Sequence, residues 1–165
     1  MKIIKKLLII FFALCLSLLD ISFFSTILIG NATILSLFSF VVVFAILEEE
    51  KDFLFFSAAA VLFFSIFSSL PTWFIFLMFF LIPQIVLYLR KIFIPEILMP
   101  VAILYFVCMN FIFEILLLIS YRQLDLNGLK ALIYFVIVNT VFSTLSFYLV
   151  KKIRKKITID EIKFN

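Results

Sequence analysis

The sequence predicts an all-α polytopic membrane protein, a bundle of six transmembrane helices with both termini in the cytoplasm. Of its 165 residues, 67% are hydrophobic and 15% are charged, whereas a soluble domain is about half apolar and about a quarter charged. The apolar residues form unbroken runs, several of which reach the roughly 18 to 20 residues that a helix needs to cross a bilayer. They lack the alternating polarity of membrane β-strands. Composition therefore excludes a water-soluble fold, and the runs favour helices.

The charged residues cluster between the apolar runs and so divide the chain into spans. Residues 1–150 form one transmembrane domain, and residues 151–165 form a basic cytoplasmic tail. The predicted spans are residues 7–24, 33–47, 53–67, 73–89, 97–119 and 129–150.

The first span follows a basic start and at first resembles a signal peptide. No small-x-small cleavage site follows the run, and Leu14 before Cys15 does not fit a lipoprotein box. We therefore expect an uncleaved first span.

The second span is short. Gly30 and Asn31 predict a turn before it, and residues 33–47 number only 15. The helix therefore either begins nearer Leu28 or lies at an angle in a thinned bilayer. Residues 48–52, with the sequence EEEKD, must lie in water and predict a loop.

Small residues in the first and third spans suit close packing of membrane helices. Positions 57, 65 and 68 share one face of a helix, and positions 13 and 17 form a small-xxx-small pair. The candidate packing residues are Ala13, Ser17, Ser57, Ser65 and Ser68. In the fourth span, Pro83 removes one backbone hydrogen bond and predicts a kink. We expect Gln84 beside it to satisfy a freed backbone group.

The basic residues determine the expected orientation. With the N-terminus inside, 12 of the 14 Lys and Arg residues are cytoplasmic, and only Arg122 and Lys130 are outside. The positive-inside rule then requires an even number of spans with both ends inside.

Missing residue types exclude many chemistries. The chain has no His, which excludes His-based metal sites and Ser-His-Asp catalysis. Its two glycines, Gly30 and Gly128, cannot build a phosphate-cradling loop. Cys15 and Cys108 lie inside apolar runs and predict neither a disulfide nor a metal site. We expect no enzyme activity, no cofactor and no metal. The net charge of +4 lies at the span ends, so we expect no nucleic-acid partner.

Polar side chains inside the spans are candidate functional residues, because they are costly to place in lipid. Asp20 and Glu114 each lie roughly 6 to 8 Å below the outer end of their span, and Asn110 and Asn139 lie deeper. These four residues form a candidate intramembrane polar cluster if their helices turn those faces together.

Two interpretations of Glu114 are open. In one, it binds an external cation or a charge on another protein. In the other, it pairs with Lys130 or Arg122 near the interface, or is simply protonated.

A basic run follows the last span directly. Such a run attracts anionic lipid at about 1 kcal/mol per charge, although ordinary positive-inside topology explains it as well. The candidate lipid-binding residues are Lys151, Lys152, Arg154, Lys155 and Lys156.

Two stretches resemble a known family. The first span ends in residues 18–24 (LLDISFF), and the third runs through residues 65–71 (SIFSSLP) into the fourth. With the chain length, the six spans and the basic tail, these stretches resemble the rod shape-determining protein MreD family. The resemblance implies a non-enzymatic, multi-pass scaffold of the bacterial inner membrane that supports cell-wall elongation and rod shape. It also implies binding to the bitopic partner MreC, which links the cytoplasmic actin-like filament to the peptidoglycan synthase.

A competing interpretation is transport. In size and span number the chain also resembles the substrate-binding membrane subunits of energy-coupling-factor vitamin transporters, which have an outward pocket and small residues on a docking helix. Ala13 with Ser17, and the layer of Asp20, Asn110 and Glu114, fit that pattern. The short outer loops, however, offer few groups to line a pocket. An unrelated small membrane protein is the third possibility.

Overall fold

The computed structural model describes the backbone of residues 2–29, 32–47, 50–93, 98–123 and 125–164, and the side chains of residues 4–29, 32–47, 51–92, 98–123 and 125–153. Within these ranges the chain folds into helices, joined at one point by a two-stranded hairpin, so the predicted all-α class is confirmed. The helices are α1 (Lys2–Ser22), α2 (Ser36–Leu47), α3 (Glu50–Phe67), α4 (the consecutive segments Thr72–Phe76, Leu77–Leu81 and Ile82–Phe93), α5 (Met99–Ser120) and α6 (Leu126–Phe164).

Four helical stretches in the described part of the chain are long and apolar enough to cross a membrane. Helix α2 is apolar but has only 12 residues, which is about 18 Å at about 1.5 Å per residue. Helix α3 has 18 residues but begins with the charged residues Glu50, Lys51 and Asp52. The four long stretches are Ile4–Thr26, Thr72–Ile92, Met99–Ser120 and Leu126–Ile153.

Helix α2 is the centre of the bundle. Nine of its 12 residues are buried, and it contacts each of the other five helices. A helix that is hydrophobic on every side is stable only when other elements surround it. The short second apolar run is therefore the core helix of this fold.

Helix α2 begins later than residue 33 and does not begin nearer Leu28. Leu28–Ile29 (β1) pairs antiparallel with Ala32–Thr33 (β2), which keeps residue 33 extended, and the helix begins at Ser36. The predicted turn at Gly30 and Asn31 lies outside the described residues.

The predicted loop at residues 48–52 is shorter than expected. Helix α3 already begins at Glu50, while residues 48 and 49 lie outside the described part of the chain. At the other end of the chain, α6 continues to Phe164, so the region predicted as a basic tail extends the last helix.

Aromatic rings fill the space between α2, α4, α5 and α6. Phe38 of α2 contacts Phe79 and Phe113, with ring centroids 5.5 Å and 4.7 Å away. Phe113 stacks on Phe135 of α6 at 5.6 Å. Because lipid is as apolar as these side chains, such packing contacts hold membrane helices together in place of a hydrophobic driving force. Each aromatic pair contributes about 0.5 to 1.5 kcal/mol beyond its buried area.

Helix α4 contains the irregularity that Pro83 predicts, together with an unexpected partner. Residues Leu77–Leu81 form a turn of π-helix just before the proline. The Phe79 carbonyl, four residues before Pro83, accepts a hydrogen bond from the hydroxyl of Ser57 in α3. Gln84 does not take the role expected of it, since its side-chain amide forms no hydrogen bond with any described residue. A serine from the neighbouring helix satisfies the freed group instead.

The two ends of the bundle differ in charge. Lys5 of α1 forms an ion pair with Asp52 of α3, which places the beginnings of both helices at one end, here called the basic end. The β-hairpin, the turn at residues 68–71 and the loop residues 121–123 and 125 lie at the opposite end, here called the hairpin end.

Candidate functional site

Asp20 in α1 caps the N-terminus of α2. Its Oδ1 atom accepts hydrogen bonds from the Ser36 amide at 2.8 Å and the Ser36 hydroxyl, and its Oδ2 atom accepts from the Leu37 amide at 2.8 Å. The Asp20 side chain is only 4% exposed. A helix N-terminus has unpaired amides and a positive dipole end, both of which favour a carboxylate. Asp20 is therefore held in the interior by the core helix.

Asn139 in α6 completes the same cap from the other side. Its Oδ1 atom accepts a hydrogen bond from the Leu35 amide at 2.8 Å, and its Nδ2 atom donates to the Thr33 carbonyl at 3.0 Å and the Phe135 carbonyl at 3.1 Å. Asp20 and Asn139 together bind the three consecutive amides of residues 35–37. Two helices thus hold the entry into α2.

The structure brings three of the four predicted polar residues together at this helix start. Asp20 and Asn139 meet at it, and Asn110 lies beside them, where its Nδ2 atom donates to Thr140 Oγ1 at 3.2 Å. Glu114 bonds to none of the other three and lines a separate cavity.

That cavity lies at the hairpin end and has a volume of about 570 Å³. It is lined by residues of β2, the last turns of α5, the loop residues Gln123 and Asp125, and the first turns of α6. Its polar lining residues are Thr33, Glu114, Gln123, Asp125 and Asn127. The expectation that short loops offer few groups to line a pocket does not describe this end of the molecule.

Glu114 is 7% exposed and makes no hydrogen bond or ion pair with any described residue. Arg122 and Lys130, the two partners considered for it, are both exposed and are not among the residues that line the cavity. The Glu114 carboxyl group is therefore free to interact with a molecule in the cavity.

The loop beside the cavity is shaped by two unusual backbone positions. Arg122 has a φ of 55°, in the left-handed region, and the Gln123 amide then donates to the Leu118 carbonyl at 2.9 Å. This is a Schellman ending of α5 with arginine where glycine is usual. Gly128 is needed for close approach, because a Cβ there would lie 2.0 Å from the Gln123 carbonyl oxygen. The Asp125 Oδ1 atom accepts a hydrogen bond from the Gly128 amide at 2.8 Å, and this bond closes the loop.

Gln123, Asp125 and Asn127 were not singled out from the sequence. The available signal was local: an aspartate three residues before a glycine, at the start of a long apolar run, is typical of a helix N-terminus with a side-chain cap. Nothing in that signal indicates that these residues line a cavity together with Glu114.

The predicted packing residues divide into an inner pair and a group of serines. Ala13 and Ser17 are fully buried, and Ser17 donates to the Ala13 carbonyl at 2.9 Å within α1. Helix α1 packs mainly on α3, so the small-xxx-small pair is used inside the fold.

The serines of α3 have different environments. Ser57 is fully buried and binds α4, as described above. Ser65 is half-buried and its hydroxyl has no hydrogen-bond partner. The Ser68 hydroxyl accepts a hydrogen bond from the Leu70 amide at 3.1 Å, and this bond closes the turn between α3 and α4.

At the basic end, Lys151 and Lys152 are exposed. The side chains of Arg154, Lys155 and Lys156, the other candidate lipid-binding residues, lie outside the described part of the chain.

Comparisons with models of protein families, with curated proteins and with solved structures give no match for this chain.

Proposed function

We propose that this chain is a non-enzymatic scaffold subunit of the bacterial inner membrane, similar to MreD, that binds an MreC-like partner and supports cell-wall elongation and rod shape. In this proposal all six helices lie in the membrane and both termini are cytoplasmic. The likeness at residues 18–24 and 65–71 supports the family.

The main support for the proposal is that buried polar side chains bind backbone groups of neighbouring helices. Asp20 and Asn139 bind backbone amides at the start of α2, and Ser57 binds a backbone carbonyl in α4. These side chains hold helices to one another, which is what a rigid scaffold requires. They are not arranged as a nucleophile with its base, the arrangement that covalent catalysis requires.

A bitopic partner offers one transmembrane helix, and an apolar groove between α4 and α5 is suited to receive it. The groove has a volume of about 410 Å³ and includes Ile85, Val101 and Leu104 among its lining residues. Leu104 is 63% exposed. Helices that dock in grooves are anchored by apolar side chains of this kind.

The test is co-purification from the native host with a tagged chain. The scaffold proposal expects an MreC-like protein and other elongation components in the eluate. Leu104→Trp should reduce their recovery, because the indole fills the groove. Ile137→Trp, at a residue of α6 that is 56% exposed and outside the groove, is the matched control and should leave recovery unchanged. Absence of every elongation component from the wild-type eluate would refute the proposal.

A second candidate, the substrate-binding subunit of an energy-coupling-factor type vitamin transporter, is favoured by the cavity beside Glu114. The positions of Ala13 and Ser17 argue against it, since both are fully buried within the fold and do not present a small-residue face to a coupling subunit. Co-purification with an ATPase-coupled membrane subunit in place of elongation components would reverse this ranking.

The exposed Lys151 and Lys152 support a weaker proposal, that the end of α6 binds anionic lipid. The test compares how much of the partner complex is retained in vesicles that contain phosphatidylglycerol and in vesicles that lack it.

A further inference from the structure

We propose that the cavity at the hairpin end binds a small organic cation, with the Glu114 carboxylate as its counter-charge. This site is separate from the groove assigned to the partner helix, so it stands or falls independently of the scaffold proposal, whereas the transporter candidate uses the same cavity.

The lining of the cavity is acidic. Glu114 and Asp125 are its charged residues, and no Lys or Arg is among the described residues that line it. Such a cleft, with one sign of charge and apolar walls, concentrates ions of the opposite sign.

The two carboxyl groups differ in what they already bind. Asp125 accepts the Gly128 amide at 2.8 Å and so has a structural role. Glu114 has no partner among the described residues, is 7% exposed, and lies six residues before the end of α5, which is about 9 Å along the helix. A buried carboxylate without a partner is costly unless a positive group satisfies it. A positively charged ligand therefore gains the most binding free energy by placing its charge next to Glu114.

The walls of the cavity favour an organic cation over a metal ion. Ca²⁺ and Mg²⁺ are bound by about six to eight oxygen ligands, and the described residues contain no cluster of three or more acidic, His or Cys side chains. Instead, the stacked rings of Phe113 and Phe135 line the cavity beside Leu117. Aromatic rings close to a carboxylate are suited to alkylated ammonium groups.

The size of the cavity favours a free molecule over a single side chain from a partner. Its volume of about 570 Å³ lies within the range of small-molecule sites. One Lys or Arg side chain would leave most of it unfilled.

The charge preference can be measured without knowing the ligand. In a background with Cys15→Ala and Cys108→Ala, Ala131→Cys places a thiol on the cavity wall. The thiol is modified with two methanethiosulfonate reagents, one carrying a cationic trimethylammonium-ethyl group and the other an anionic sulfonatoethyl group. The rate of each reaction with the cavity thiol is divided by the rate of the same reagent with a free thiol in solution. We expect the cation to react at least about tenfold faster, and Glu114→Gln to remove most of that preference. Equal corrected rates, or a preference that survives Glu114→Gln, would overturn the proposal.

Binding is then measured on the full chain in nanodiscs, by calorimetry and thermal shift. The probes are tetramethylammonium, choline, putrescine and thiamine, with 3,3-dimethyl-1-butanol as the uncharged analogue of choline. We expect at least one cation to bind, the uncharged analogue not to bind, and Glu114→Gln to weaken binding at least about tenfold. Ser120→Ala, at an exposed residue outside the cavity lining, is the control and should not change affinity.

Failure of every cation in the panel to bind in a Glu114-dependent way would overturn the proposal. Both measurements use the isolated chain, whereas the scaffold proposal is tested by co-purification from the host. A negative result in one test therefore does not imply a negative result in the other.

Discussion

The hydroxyl of Ser57 in α3 donates a hydrogen bond to the backbone carbonyl of Phe79 in α4. In a regular α-helix this carbonyl would accept from the amide of residue 83. Pro83 has no amide hydrogen, and the preceding turn is widened into a π-helix. The serine thus satisfies a buried acceptor and joins the two helices at the irregular point of α4.

Ser57→Ala should lower the free energy of unfolding by about 1 kcal/mol, because a buried carbonyl loses its donor. Unfolding in mixed micelles with increasing denaturing detergent measures this loss. Ser65→Ala in the same helix is the control, and we expect no loss, since the Ser65 hydroxyl is buried without a partner.

The same bond predicts coupling with Pro83. In a Pro83→Ala background, residue 83 regains an amide, so Ser57→Ala should cost less than it does in the native chain. An equal cost in both backgrounds would mean that Ser57 acts through packing alone.

Asp20→Ala should be among the more destabilising substitutions, with a loss of about 2 kcal/mol. It removes the acceptors of two amides and one hydroxyl at a buried helix start. Asp20→Asn should cost less, because one acceptor oxygen remains. Ser22→Ala is the control, since Ser22 is exposed and bonds only to the Leu18 carbonyl of its own helix. If Asp20→Ala and Ser22→Ala gave the same melting temperature, the capping role would be rejected.

Asn139→Ala should cost about 1 to 2 kcal/mol, because the Leu35 amide and the Thr33 carbonyl lose their partner. Asn139 and Asp20 hold the same helix start, so the double substitution should cost less than the sum of the two single ones. The unfolding free energies of the four proteins in this cycle measure the coupling. Strict additivity would show that the two residues act on independent structures.

The sequence predicts the helical class because that class depends on the length and composition of local apolar runs. The start of α2 was not predictable in this way, since it depends on strand pairing between Leu28–Ile29 and Ala32–Thr33. The polar residues were identified because carboxyl and amide groups are costly in lipid. Their partners were not, because Asn139 and Leu35 are 104 positions apart in the chain.

The cavity depends on backbone geometry that composition does not encode. Arg122 adopts a left-handed conformation that is common for glycine and rare for arginine, and the next residue, Gln123, lines the same cavity as Glu114. The sequence therefore indicates the depth of Glu114 but not the loop residues that share its cavity.

Arg122→Gly should stabilise the protein by about 0.5 to 1 kcal/mol, because glycine adopts the left-handed conformation of this Schellman ending without steric cost. The side chain of Arg122 is exposed, so little packing is lost. Thermal unfolding in detergent measures the gain. Arg122→Ala is the matched control, because it also removes the charge but retains a Cβ, and it should give no comparable gain.

Intact-cell labelling tests the orientation of the bundle. Ser69 lies exposed in the turn at the hairpin end, and Lys152 is exposed at the basic end. The positive-inside rule places the basic end, with Lys5, Lys51 and Lys152, in the cytoplasm. In the background without native cysteines, a membrane-impermeant maleimide should therefore label Ser69→Cys in intact cells. It should label Lys152→Cys only after the membrane is permeabilised. Labelling in the reverse order would place both termini outside and remove the basis for a cytoplasmic lipid-binding segment on α6.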